Sequence, residues 1–190
     1  MIYLLLADGF EEVEALTPLD LLRRVGKDVK TVSITEERIV TGSHGISVLA
    51  DLTKDELCVP CDEMLILPGG MPGTLHLDAS PVTDRLIAET LAHGGHIAAI
   101  CAAPLILGKR QLLAGKNAVC YPGFEKELLG ANILHTSVVT DGNITTATGA
   151  GVAVLFGGAL VDILCGRETA KTLLTGFRYT DLQNGKELLP

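Results

Sequence analysis

At 190 residues the chain is long enough for one domain, 1–190, with a full core; 47% apolar residues with only 4% aromatics build that core from Leu, Val, Ile and Ala. A net charge of −8 without a basic run argues against nucleic acid or an anionic membrane as partner. The longest apolar stretch, 152–165, is too short for a membrane span, and five cysteines without a secretory signal point to reduced thiols in a cytoplasm.

Tyr3 to Ala7 reads as a first buried strand, with Asp8-Gly9 as its turn. From Phe10 to Val25, apolar Val13, Leu16, Leu19, Leu22 and Val25 recur every third residue, which predicts a helix facing the core with that stripe. Pro18 predicts a kink or two abutting helical pieces, and Gly26 ends the helix. Val29 to Ile34 is the second strand, and the strand–helix–strand unit must cross over right-handed. Arg38–Val40 and Ile46–Leu49 read as a small hairpin. Met64 to Leu67 is another buried strand that runs into Pro68-Gly69-Gly70-Met71-Pro72-Gly73, a loop at the strand end where open α/β sheets bind ligands. Ser80 and Pro81 cap and open a helix to Ala92.

Ile97 to Ile100 is a short apolar strand, and Pro104 then opens a helix through Leu105, Ile106 and Leu107. Further on, a strand is expected at 118–120, a short helix at 124–129, a hairpin of 138–139 with 144–147 around Asp141-Gly142, and helices at 149–165 and 168–174. The alternation is that of a doubly wound α/β sandwich with a mostly parallel central sheet and helices on both faces.

Cys101 falls at the strand-to-helix turn between Ile100 and Pro104, among the alanines 99, 102 and 103. A thiol there faces the N–H groups of a helix start, which favour the thiolate, with the geometric logic of the serine elbow of hydrolases. A buried structural cysteine fits the stretch equally well. Glu11 and Glu12 suit the dipole of the first helix, whereas Glu14 lies off the apolar stripe and can face the crevice at the strand ends, where burial raises a carboxyl's proton affinity. Cys58-Val59-Pro60-Cys61 precedes a strand instead of opening a helix, so it lacks the setting of a redox motif, and a structural zinc would need two further ligands. His44, His76, His93, His96 and His135 read as surface or loop residues.

Three segments, Ala7-Asp8-Gly9-Phe10-Glu11-Glu12-Val13-Glu14, Leu67-Pro68-Gly69-Gly70 and Ala98-Ala99-Ile100-Cys101-Ala102-Ala103-Pro104, resemble in order and spacing the ThiJ/PfpI superfamily, most closely its DJ-1 branch. The resemblance covers nearly the whole chain, including Gly149-Ala150-Gly151. It implies a flavodoxin-like fold, a homodimer, and an active site free of metal or organic cofactor. Cys101 matches the family's nucleophile, Glu14 the protonated glutamate bonded to its sulfur, and Gly70 and Ala102 the backbone N–H donors of an oxyanion pocket. The activities implied are conversion of the small dicarbonyl methylglyoxal to lactate (glyoxalase III type), deglycation of sugar-damaged proteins, and oxidation of the cysteine to a sulfinate in stress sensing. Chaperone and thiamine-pathway roles are also attached to the family.

Two residues depart from the family pattern. Ala102 stands where protease-like relatives carry a histidine, which argues against peptidase activity. Tyr121 stands before Pro122 where the DJ-1 branch has a histidine, and His44 falls near the family's hairpin arginine.

Overall fold

Five consecutive apolar residues at the head of the chain are all buried and form β1 (Ile2–Leu6) at the centre of a sheet. The computed structural model describes residues 1–179. After β1 come α1 (Glu12–Arg24), β2 (Val29–Ser33), a hairpin of β3 (Ile39–Thr41) and β4 (Ser47–Leu49), β5 (Leu52–Thr53), β6 (Met64–Leu67), α2 (Gly73–Asp78) and α3 (Pro81–Ala92). The second half holds β7 (His96–Ile100), α4 (Pro104–Lys109), β8 (Asn117–Ala118), β9 (Asn132–Ile133), β10 (Val138–Asp141), β11 (Ile144–Ala147), α5 (Ala153–Cys165) and α6 (Arg167–Gly176).

Seven strands make the main sheet in the order β10-β11-β7-β6-β1-β2-β5. All its neighbours run parallel except β10, which turns back antiparallel on β11. The interior strands are apolar on both faces because helices cover both faces. Tyr3, Leu5, Leu65, Leu67, Ile97 and Ala99 point to one side, beneath Leu77 of α2, Leu86 and Ile87 of α3, and Leu105 to Leu107 of α4. Ile2, Leu4, Leu6, Met64, Ile66 and Ile100 point to the other, beneath Ala15, Leu19 and Leu22 of α1 and Phe156, Leu160 and Val161 of α5. Each large apolar side chain so buried contributes roughly 1.5–3 kcal/mol, so the arrangement of strand ends is rigidly held.

This is the flavodoxin-like α/β architecture expected from the sequence, with local differences. Pro18 lies inside one continuous helix, α1, instead of dividing it. The core-facing side of α1 is carried by Ala15, Pro18, Leu19 and Leu22, while Val13 is exposed, because a three-residue period drifts off a 3.6-residue helix face. Ser80 occupies the N-cap of α3 without a capping side-chain bond. The expected helix at 124–129 is a single 3₁₀ turn, Glu125–Glu127, and a second such turn, Ala150–Val152, precedes α5. β5, β9 and α2 were not expected. His96 is a buried residue of β7, not a surface one: its Nε2 lies 2.8 Å from the Thr145 hydroxyl, which lies 2.7 Å from that of Thr140. No helix among the described residues is long and apolar enough to cross a membrane.

Parallel neighbours bring the C-terminal ends of β1, β6, β7 and β11 to one edge. The turns that leave them therefore converge, and they carry Glu14, Gly70, Cys101 and Gly149.

Candidate active site

Cys101 follows the last residue of β7, and its N–H still donates to Ala147 O of β11 at 2.9 Å. The chain must then turn sharply into α4, and it does so with Cys101 at φ +65°, a left-handed conformation that a β-carbon penalises. Such strain persists only where the surroundings fix it, here the flanking strand bonds and the Ala103 N–H to Ile100 O bond of 3.0 Å. Alanines at 102 and 103, both buried, leave room for the turn. The sulfur is thereby lifted to the sheet edge and is half-buried.

Glu14 sits on the first turn of α1, only 1% exposed, and its carboxyl is within hydrogen-bond reach of the Cys101 sulfur. Its Oε2 accepts the Gly69 N–H at 3.0 Å, and the Ala150 N–H also bonds to the carboxyl. The Gly-rich loop after β6 is what permits this contact. A β-carbon on Gly69 would lie 2.5 Å from Glu14 Oε2 and 2.6 Å from Cys101 Cβ, so any side chain there would push apart the two groups it touches. Gly70, at φ +91°, turns its N–H to the sulfur, and the Ala102 N–H points there too. The structure thus brings together Cys101 and Glu14, singled out from the residues themselves, and Gly70 and Ala102, which the resemblance implied.

The electrostatics differ from the expectation of a low-pKa thiol. Burial, with the Glu14 negative charge and hydrogen bond added to it, pushes Cys101 up to about 12, against the opposing pull of the Ala102 and Gly70 N–H groups. The helix that follows is only six residues long and gives too small a dipole to reverse this. Burial likewise pushes Glu14 up to about 7, as expected, with the Cys101 and backbone bonds holding it from going higher. The pair is therefore a thiol beside a carboxyl that gains or loses its proton near neutrality. That is the combination for moving a proton off sulfur as the sulfur attacks.

Glu12 has a role that sequence reasoning missed. It is buried and accepts the N–H groups of His44 (2.9 Å) and Ile46 (3.3 Å), with His44 Nδ1 3.0 Å from its other oxygen. Against its burial, these bonds hold its pKa down at about 2. Glu12 thus fastens the β3–β4 loop to the start of α1, beside the site; a helix-dipole reading looks no further than the first turn and cannot see a loop 32 residues away. Among the described residues, Glu11, Glu12 and His44 are the group whose side chains come close enough for a shared metal, but Glu12 and His44 already satisfy each other. Cys58 is exposed, and Cys61 is buried with its thiol donating to Met64 O at 3.3 Å and burial pushing it up to about 11, a setting that does not activate the Cys61 thiol. His44, His76, His93 and His135 are exposed and none is placed at the Cys101 sulfur.

The family model described as DJ-1/PfpI family matches residues 1–163. An Arabidopsis thaliana protein described as a DJ-1 homolog is 36% identical over 86% of this chain, which spans 38% of that longer protein. A deglycase from Pyrococcus horikoshii is 34% identical over 73% of this chain and 84% of its own length. Among solved structures, a DJ-1 superfamily protein from Salmonella typhimurium superposes with a TM-score of 0.88 at 33% identity, covering 93% of this chain and 97% of that one.

Proposed function

From its membership of the DJ-1/PfpI family, to which the chain belongs, we propose that this protein is a cysteine-dependent enzyme that acts on small reactive dicarbonyls such as methylglyoxal. The observation that carries the reading is the Glu14 carboxyl, titrating near 7, against a half-buried Cys101 thiol flanked by two inward N–H groups. The deglycase description of the Pyrococcus relative supports carbonyl chemistry of this kind.

Glu14 as carboxylate takes the thiol proton while the sulfur adds to the aldehyde carbon, forming a hemithioacetal. The carbonyl electron pair moves onto oxygen, and the N–H groups of Gly70 and Ala102 hold the resulting oxyanion. Glu14 hands the thiol proton to that oxyanion, giving the neutral hemithioacetal, and as carboxylate again removes the proton from the same carbon while the ketone oxygen takes the electron pair as an enediolate. The hydroxyl proton passes to that oxygen and Glu14 returns its proton to the former ketone carbon, which leaves a thioester on Cys101 and an alcohol next to it. Water cleaves the thioester, releasing a 2-hydroxy acid and restoring the thiol; the net reaction adds one water to the dicarbonyl. No oxidant, metal or organic cofactor enters the balance. The test is lactate formation from methylglyoxal by the wild type and by Cys101→Ser: activity lost in the variant supports the reading, and equal rates sink it.

A second reading, oxidation of Cys101 to a sulfinate as a stress sensor, is favoured by the same two N–H groups and carboxyl, which could hold added oxygens. Mass spectrometry after mild peroxide decides it: a sensor gains two oxygens at Cys101 before Cys58 reacts. We further propose a homodimer, supported by an exposed apolar cross-strand pair on the hairpin, Ile39 (65%) and Leu49 (71%), with Ile46 (55%) beside it. Sedimentation should then give twice the chain mass of 20.0 kDa; a single-chain mass at micromolar concentration would reject it. A cytoplasmic location fits the five cysteines, none of which is paired.

A further inference from the structure

The two N–H donors beside the sulfur each stand at the head of a short helix, and one side chain joins the far ends of those helices. Gly70 O accepts the Thr74 N–H at 2.9 Å, which ties the Gly70 peptide into the first turn of α2. Ala102 O accepts the Leu105 N–H at 3.0 Å, which does the same at the head of α4. Both helices are six residues long, about 9 Å at 1.5 Å per residue, and they pack on each other. Arg110 follows the last residue of α4, and its Nη1 donates to Ile106 O at 2.9 Å and to Asp78 Oδ1 at 2.7 Å. Its Nη2 donates at 2.8 Å to the backbone O of Asp78, the last residue of α2. Its Nε donates to Asp84 Oδ1 of α3 at 2.7 Å, and Lys109 Nζ adds a bond to Asp78 Oδ2 at 2.7 Å. The guanidinium thus engages carbonyls at the ends of α2 and α4 and two carboxylates at once, which takes a planar fork of donors. Its side chain and that of Asp78 are 21% and 17% exposed, so water and salt screen the bonds weakly. Against its burial, the Lys109 and Arg110 bonds hold the Asp78 carboxyl below its ordinary value, and the clamp keeps its charge through neutral pH.

We propose that Arg110 is a positioning residue for the oxyanion pocket: by clamping the ends of α2 and α4 to each other, it fixes how the Gly70 and Ala102 N–H groups converge on Cys101. The inference rests on the carbonyl reading above and adds a residue to its machinery. The strands β6 and β7 set where the two helices begin, since α2 follows the one and α4 the other. The clamp at the far ends sets the direction in which each helix leaves its strand, and so the direction in which its first peptides point. That direction matters because a hydrogen bond weakens steeply as its angle closes, and a misplacement of about 1 Å at a reacting centre costs about 10²-fold in rate.

The test begins with a readout that needs no turnover. Alkylation of Cys101 by iodoacetamide at one fixed pH is followed by peptide mass spectrometry, relative to exposed Cys58, with buried Cys61 as the reporter of a loosened fold. Arg110→Ala should slow Cys101 by about three- to tenfold relative to Cys58, the scale of one weakened hydrogen bond to the thiolate, with Cys61 still unlabelled. A purely structural role moves the ratio the other way, because loosening exposes buried thiols. With methylglyoxal, kcat should fall about tenfold or more while KM stays within about twofold, since the N–H groups act on the oxyanion and not on the free dicarbonyl. Arg110→Lys keeps the charge and loses the fork, so it should share both losses, and it decides the matter if Arg110→Ala does not fold. Cys101 labelled at the wild-type rate or faster in a folded variant, or full kcat in Arg110→Lys, overturns the proposal. If the wild type does not turn over methylglyoxal while Cys101 slows in the variants, the carbonyl reaction fails and the clamp stands. If the wild type turns it over and the variants match its rate, the clamp fails and the reaction stands.

Discussion

Replacing Glu14 by glutamine keeps the shape of the side chain and removes its charge, and the two consequences run in opposite directions. The thiol is held at about 12 chiefly by burial, and next by the Glu14 charge and hydrogen bond. A unit charge at hydrogen-bond distance from a half-buried sulfur is worth roughly 1–4 kcal/mol, between an effective dielectric of about 80 and one of about 20. Burial is the larger cause and stays in place, so Glu14→Gln should lower the Cys101 midpoint by about one to two pH units, short of the ordinary thiol value. The assay is the pH dependence of Cys101 alkylation by iodoacetamide, with thiolate absorbance at 240 nm as a second probe. Turnover should move the other way, because the group that accepts the thiol proton and carries it between carbons is gone; a loss of about 10²–10⁴ in kcat is the expected scale for a positioned acid–base group. A more reactive thiol in a less active enzyme is the signature. An unmoved or raised midpoint would refute the electrostatic argument, and full turnover by the variant would refute the assignment of Glu14 as proton carrier.

Two further outcomes follow from positions at and away from the sulfur. Gly69→Ala puts a carbon 2.5 Å from Glu14 Oε2 and 2.6 Å from Cys101 Cβ, so dicarbonyl turnover should fall at least about 10²-fold while urea unfolding shifts by only about 1–3 kcal/mol; unaltered kinetics would show that the close approach is not needed. Burial holds His96 down at about 4 in the folded protein, against 6.5 as its ordinary value, so between those values the unfolded chain binds more protons. Its contribution is complete above pH 6.5 and is lost as pH falls toward 4, about 2–3 kcal/mol by pH 4.5, measurable as a steeper loss of urea stability in the wild type than in His96→Gln; parallel pH slopes would contradict it.

The sheet was legible because strands covered on both faces must be apolar at every position, and Ile2–Leu6, Met64–Leu67 and Ile97–Ile100 are. The hairpins were legible from their turn residues. β5 and β9 were not, since two residues carry no period and pair only because β2 and β8 already stand beside them. α2 was hidden behind a Gly- and Pro-rich loop and is six residues long. At the site, Cys101 stood in a readable strand–turn–helix pattern, whereas the stripe that set Glu14 apart included exposed Val13, and the structure buries Glu14 on the core side of α1 with Ala15 and Pro18. The raised thiol pKa was not readable, because it depends on how deeply the turn is buried and on a charge 87 positions earlier in the chain, neither of which a local motif contains. Glu12 and His96 were misplaced for the same reason: their partners, His44 and Thr145, lie far off in sequence. Tyr121 could be read only as a substitution, whereas in the structure its backbone N–H is bonded to Cys101 O.

The account rests on Cys101 adding to a carbonyl carbon with Glu14 taking its proton, and the most direct measurement is ¹³C NMR of the enzyme with methylglyoxal labelled at the aldehyde carbon. The wild type should convert the label to the carboxylate of lactate through a protein-bound hemithioacetal signal, and Cys101→Ser should show neither. Lactate from the variant at the wild-type rate, or label that stays as free dicarbonyl with the wild type, would contradict it.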